Sequence, residues 1–363
     1  MYQDPPVAHI QFILGRLEYM ESIPLILIAV VVLVAVYDFT NGFHDAADMV
    51  ATPIASRAMR PAVAIGLVSV ATFIAPFVVG LAVADTVGTF VDIRSASSLA
   101  GGAVVIAALL AAVSYNLVTW MLGYPSSSSN SLAGGLVGAG LYAVDSTGIN
   151  WGVAALQHGE LQGVTKVVAG LLVSPLFGFV VGYLLIKLFL AVFSHFTRKI
   201  SGVLVFSQYL SVAGLGFSHG ANDAQKGMAI IGMMLLASGM TDTFIVPTWA
   251  VILCASSITL GTMFGGWRII KTLGFSLYRL HTIHAVANQL GSALVNAAAT
   301  SIGAPTSTTQ VVTATLLGNG AGEKPGHVKW LTAANIITGW WLNLPISIAL
   351  GWLYCLIYMA VRS

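Results

Sequence analysis

Two aspartates, Asp45 and Asp223, stand in matching surroundings: each closes a long apolar run, follows a glycine by three positions (Gly42, Gly220) and precedes an alanine. An ionisable side chain at the end of such a run is costly if the run lies in a membrane, and is then a functional candidate by default. Around the pair sit Asn41, His44, Asp48, His219, Asn222, Gln225 and Lys226, a polar island in a sequence otherwise poor in such groups. Groups of this kind need partners or ligands when buried. Asp48 occupies the position that Lys226 holds beside the second aspartate, an exchange of sign. Either the two form an ion pair, or Lys226 neutralises an anion while Asp48 takes a proton or a cation.

A second kind of chemistry is carried by hydroxyls. Residues 126–129 are four serines and residues 306–309 are Thr-Ser-Thr-Thr, each run following a proline (Pro125, Pro305). Hydroxyls donate and accept. At a helix start they join free backbone N–H groups and the positive end of the helix dipole, which together bind an anion without an arginine. The plainer alternative is small residues that let helices pack closely. Carboxylates facing an anion site are compatible with it when protons or Na⁺ occupy them, or when the anion donates its own hydrogen. HPO₄²⁻ and H₂PO₄⁻ can do so; sulfate cannot.

The elements that must position these residues are membrane helices. Of 363 residues, 57% are hydrophobic and 8% charged, against about 25% charged in a soluble domain. Stretches nearly free of charge cover 24–37, 61–84, 99–122, 167–186, 246–267 and 331–358, on the scale of the roughly 20 residues needed to span hydrocarbon. The chain therefore reads as an all-α, multi-pass integral membrane protein with roughly 10 to 12 membrane segments. Residues 1–21, with Asp4, Pro5, Pro6 and Arg16, lack the order of a cleaved signal peptide. A net charge of +2 without a basic stripe argues against nucleic acid. No Walker loop is present, no nucleophile and base stand out, and His281 with His284 lacks a nearby third ligand for zinc. An enzyme and a cofactor are not expected. Cys254 and Cys355 lie in apolar segments and read as buried small hydrophobes.

The motifs recur. Phe39-Thr-Asn-Gly-Phe-His-Asp45-Ala46 matches Phe217-Ser-His-Gly-Ala-Asn-Asp223-Ala224, and Pro125-Ser-Ser-Ser-Ser-Asn130 answers Pro305-Thr-Ser-Thr-Thr-Gln310 at nearly the same offset. Pro175 with Pro345 and Gly182 with Gly351 give a fainter echo. The expected organisation is a tail (1–21), a first repeat (22–195), a linker (196–203) and a second repeat (204–363). Such duplication is the usual build of a secondary transporter, with substrate held between the repeats near the midplane. Inverted orientation is expected, with short re-entrant hairpins at 123–144 and 303–322.

Asn41-Gly-Phe-His-Asp-Ala-Ala-Asp48, Ser218-His-Gly-Ala-Asn-Asp-Ala-Gln-Lys-Gly227 and the two hydroxyl runs resemble the inorganic phosphate transporter (PiT) family, over about residues 37–345. The resemblance implies an inverted-repeat carrier, commonly dimeric, with two helical hairpins and a central phosphate site energised by Na⁺ or H⁺. By residue match it places Asp45 and Asp223 at the cation and phosphate site. It assigns the hairpin hydroxyls to Ser127, Ser128, Ser129, Ser307, Thr308 and Thr309, and a recurrent glutamine to Gln289. With Asn222 and Lys226 these are the expected phosphate ligands; Asn41, Asp45, Asp48 and Asp223 are the expected coupling residues. Asp48 replaces the family's usual Asn, and Asn130 and Gln310 replace histidines. Ala224-Gln-Lys-Gly227 is closer to the bacterial low-affinity, proton-coupled branch, whose substrate can be a neutral metal phosphate; Asp48 would suit its divalent cation. The expectation is cation-coupled phosphate symport in a bacterial inner membrane, as a homodimer. A sulfate or other oxyanion permease, or an anion channel, are the alternatives.

Overall fold

A computed structural model describes residues 5–93, 98–194 and 201–362. The chain is helical throughout: α1 (Pro5–Ala55), α2 (Pro61–Val78), α3 (Ala82–Gly88), α4 (Ser98–Leu122), α5 (Ser128–Ala143), α6 (Val153–Gln157), α7 (Gly163–Phe193), α8 (Ser201–Ala237), α9 (Thr248–Phe264), α10 (Trp267–Phe275), α11 (Thr282–Ser301), α12 (Thr308–Glu323) and α13 (Trp330–Arg362). The linker expected at 196–203 lies mostly outside the described residues; its last three residues open α8.

Five of the described helices are long and apolar enough to cross a membrane: α2, α7, α13, the Leu25–Ala55 part of α1 and the Leu99–Leu122 part of α4. A sixth span is available if α9 and α10, which meet at 66°, count as one. Helices α8 and α11 fall outside this group because of polarity, not length. At 1.5 Å per residue they reach about 55 and 30 Å, but α8 carries Asp223 and Lys226, and α11 carries Asn288, Gln289, Ser292 and Asn296. Two of the helices that build the site, α8 and α11, are thus ones a hydropathy measure passes over, whereas α1 passes it despite Asp45 and Asp48. Outward-facing side chains are apolar, as with Leu176, Leu184 and Leu188 on α7, which suits contact with lipid.

Two antiparallel hairpins form the centre. In the first, α4 ends, Gly123 turns the chain with φ +73°, and α5 returns along α4; in the second, Gly303 with φ +67° does the same between α11 and α12. Only glycine takes this left-handed turn at no steric cost. The returning helices have 16 residues each, about 24 Å, so their starts lie inside the protein. Each packs on a long neighbour through a glycine at the same repeat position. A Cβ on Gly138 of α5 would strike the Ile348 carbonyl of α13, and one on Gly318 of α12 the Phe179 carbonyl of α7. The faint echo of the final spans has the same basis: Gly351 abuts Gly135, and Gly182 abuts Thr315, its repeat equivalent.

Helices α1 and α8 cross antiparallel, with Asn41 against Asp223 and Asp38 against Gly227. Following the contacts from helix to helix places the ends of α1, α4, α7 and α12 on one face. That face carries Arg57, Arg60, Lys187, Arg268, Lys271, Arg279, Lys324 and Lys329 against Glu323 among the described side chains. The opposite face carries Asp85, Asp92, Asp145, Glu160 and Asp242 against Lys166 and Arg362.

Candidate functional site

The polar residues of α1 lie at 38, 41, 45 and 48, spacings of three and four that put them on one face of a helix. All four are buried, as are His219, Asn222, Asp223 and Lys226 on α8. Between these two helices meet the starts of α5 and α12.

Lys226 ties the centre together. Its Nζ donates to Asp223 Oδ1 (2.7 Å), to Ser129 Oγ at the start of α5 (2.5 Å) and to the Thr306 carbonyl just before α12 (2.9 Å). Ser129 Oγ in turn donates to that same carbonyl (2.6 Å). An ammonium has three donors, so none is left for an anion in this conformation. The ion pair of Lys226 is with Asp223 on its own helix, rather than with Asp48 across the interface. Side-chain reach explains this, since residues three apart on a helix are neighbours.

On the α1 side the pattern differs. Thr309 Oγ1 stands 3.1 Å from Asp45 Oδ1 and 2.6 Å from Asp48 Oδ2. One hydroxyl proton cannot serve two ionised carboxylates, and Asp48 Oδ1 has no partner among the described residues. His44 Nδ1 lies 3.4 Å from Asp45 Oδ1. His44, Asp45 and Asp48 each offer a ligand atom within 4.8 Å of the others, and so do Asp45, His219 and Asp223. Asp45 belongs to both groups. Three buried carboxylates face a single ammonium, and an uncompensated buried charge is expensive. His44, Asp45 and Asp48, or Asp45, His219 and Asp223, are the groups that could hold a cation through carboxylate and imidazole donors.

The remaining expected site residues divide by task. Ser128 Oγ donates to Asn41 Oδ1 (2.6 Å), and Asn41 Nδ2 reaches Asp223 Oδ2 at 3.4 Å. Thr308 Oγ1 pairs with His219 Nδ1 (3.2 Å). Ser127 and Ser307 are helix caps: each accepts from the backbone N–H three residues on, Asn130 and Gln310, at 3.0 and 3.3 Å. Asn222 holds the second hairpin, bonding Thr300 Oγ1, the Ala304 carbonyl and the Thr306 N–H. Gln289 sits a turn beyond Asp48, donating to the Met49 carbonyl (2.7 Å) and Thr52 Oγ1 (3.0 Å). Gln225, part of the polar island, caps α3 by accepting from the N–H groups of Val83 and Ala84 (both 3.0 Å).

Asp38 was not among the residues singled out from the sequence. It is fully buried, neither oxygen accepts from an N–H or O–H group among the described residues, the Cys254 thiol is the one weak donor beside it, and its carboxylate lies against Gly227, where a Cβ would collide. The seven-residue spacing to Asp45 is the signal that points to it. The starts of α5 and α12 leave the N–H groups of Ser128, Ser129, Thr308 and Thr309 in their first turns, aimed into the same centre.

Comparison with known proteins agrees with this architecture. The profile of the phosphate transporter family matches residues 41–201 and 191–351. A probable low-affinity inorganic phosphate transporter of Rhizobium meliloti (strain 1021) is 37% identical over 89% of this chain and 93% of its own length. One of Bacillus subtilis (strain 168) is 36% identical over 92% and 97%. A solved structure titled the sodium-dependent phosphate transporter superposes with a TM-score of 0.78 over 93% of this chain and 99% of that one, at 22% identity, and so shares the fold. Two matched stretches spanning both hairpins, and relatives alike along nearly their whole length, establish that this chain belongs to the phosphate transporter family.

Proposed function

We propose that the protein carries inorganic phosphate across the plasma membrane together with a proton or Na⁺, as the free anion or as a metal phosphate. The observation that supports this most is the meeting of two short-helix N-termini, an anion-binding element, with three buried carboxylates and one ammonium. Cation or proton binding at Asp45, Asp48 and Asp223 neutralises the centre and admits the anion. The hydrogen that phosphate carries can then be donated to a carboxylate. Entry of the anion requires Lys226 to exchange one of its present partners for a phosphate oxygen.

The halves act as two inverted repeats, a reading supported by the antiparallel crossing of α1 and α8 and by hairpins that enter from opposite faces. Alternating access then follows from rocking of one unit against the other, and the resemblance favours a homodimer. By the positive-inside rule, the face with Arg57, Arg268 and Lys329 is cytoplasmic. The test is uptake of labelled phosphate into proteoliposomes under separately imposed Na⁺ and H⁺ gradients, with excess sulfate as competitor. Accumulation against a gradient, resistant to sulfate and lost in Asp45→Asn and Asp223→Asn, is expected. Full uptake in both variants would falsify the site; equilibration without accumulation would make the protein a channel.

A further inference from the structure

The first hairpin's long helix, α4, and the second's, α11, occupy equivalent places, yet their buried ridges differ. Along α11, His284, Asn288, Ser292 and Asn296 follow at four-residue steps and all are fully buried. At the equivalent positions α4 has Val104, Ala108, Ala112 and Asn116, also buried. Only the asparagine nearest the centre is kept. Residues four apart on a helix stand about 5–6 Å apart, and the α11 ridge runs about 18 Å.

The middle of this ridge has no hydrogen-bond partners among the described residues: both side-chain polar atoms of Asn288, the Ser292 hydroxyl and, from the facing α12, Asn319 Oδ1. Its ends are connected. At the inner end Asn296 Nδ2 donates to Thr308 Oγ1 (3.4 Å), which pairs with His219 Nδ1 (3.2 Å), itself 3.7 Å from Asp223 Oδ2. At the outer end His284 Nδ1 accepts from the His281 N–H (3.0 Å), so the ring proton resides on Nε2, which donates to Glu323 Oε2 (2.9 Å). Glu323 lines a cavity of about 1170 Å³ on the basic face. The titratable groups facing this end are Tyr278 and His281, from the segment before α11, and Glu323 from α12.

We infer that the α11 ridge is a water-bridged proton path joining Asp223 and His219 to the cytoplasmic cavity, with Asn288 and Ser292 positioning the waters and the His284–Glu323 pair at its mouth. Buried water is the usual partner of enclosed polar atoms left without one, and each such water makes two to four bonds. A gap of one helical step is the span of one bridging water. Chains of polar groups inside membrane proteins mark proton relays. The proton passes along the waters from the centre to Glu323 and leaves to solvent; no bond to a side-chain carbon or nitrogen of Asn288 changes. Because α4 is apolar at three of the four positions, the opposite face has no counterpart path through its hairpin.

This inference rests on the proton-coupled form of the proposed function, and the test separates the two. Proteoliposomes carrying a pH-sensitive dye report proton movement on phosphate addition, while labelled-phosphate exchange at equal concentrations reports transport that needs no net proton flow. For Asn288→Leu, exchange within about twofold of wild type is expected, with proton flux reduced about tenfold or more, as for an apolar plug in a polar relay. Ser292→Ala, the residue α4 uses, should give a smaller loss. Undiminished proton flux in Asn288→Leu overturns the path and leaves the transport reading standing; wild-type uptake driven by Na⁺ alone overturns proton coupling itself. Radiolytic hydroxyl labelling of the wild type needs no variant to fold. Labelling at residues 284–296 comparable to that of the cavity residues is expected, and a dry ridge overturns the inference.

Discussion

Helix α1 and helix α8 bring the same motif to the same place and use it in opposite ways. On α8 the aspartate has its own lysine, and that lysine spends its three donors on Asp223, Ser129 and the Thr306 carbonyl, so the start of each hairpin's short helix is tied to one ammonium. On α1 the aspartates have no such partner: Asp48 and Asp45 share one hydroxyl, and Asp38 has none among the described residues. One half ties the two short-helix starts together through Lys226, and the other gathers carboxylates with no ammonium beside them. The motif recurs on both helices, and the exchange of sign, Asp48 against Lys226, accounts for the difference in their partners.

The largest expected effect tests the anchoring half. Lys226→Met leaves Asp223 buried without its counter-ion and unties both short-helix starts, which costs about 3–5 kcal/mol. A steep fall in the thermal midpoint of the detergent-purified protein, with uptake lost, is the expected result; an unchanged midpoint would break the comparison. Asp48→Asn tests the other half. The Thr309 contact is retained in the amide, so the midpoint should stay close to wild type, while gradient-driven accumulation falls about tenfold, the size of one charge-assisted contact to the coupled proton or cation that the amide does not make. If Asp48→Asn lowers the midpoint steeply and leaves coupling intact, the roles are reversed.

Two smaller effects address what the halves share. Gly138→Ala and Gly318→Ala each force a methyl against a facing backbone carbonyl, an overpacking of about 1–3 kcal/mol. The two losses should match in chemical denaturation of the reconstituted protein, and a large inequality would show that the hairpins are not mechanically equivalent. Ser127→Ala and Ser307→Ala each remove a helix cap worth about 1 kcal/mol. Here too the two thermal shifts should be alike, because each variant loses the same bond from the backbone N–H three residues on.

Much of this was legible from spacing. The glycine and proline punctuation at Gly123, Pro125, Gly303 and Pro305, followed by short apolar stretches, located the turn and the returning arm of each hairpin, while the outgoing arms, α4 and α11, lie before the ranges expected. Asp45, Asp48 and Asp223 declared themselves because ionisable groups are rare here and these three stand in a motif that recurs. Segment count was less legible, because α8 and α11 trade hydropathy for the polar groups they carry. The unmet carboxylate of Asp38 was hidden for the opposite reason, lying beside Tyr37 at the edge of a stretch read as plain span.

By itself the sequence determined the class, the duplication and the identity of the polar island, since these depend on composition and on repeated spacing along one chain. Tertiary structure alone decided who pairs with whom. Whether Lys226 meets Asp48, Asp223 or an anion, and which partner each carboxylate finds, turns on distances of a few ångströms between residues separated by as many as 264 positions, where a charged group in an apolar medium takes whichever partner geometry brings within reach. That same requirement makes the buried ridge of α11 visible only once α12 is seen beside it.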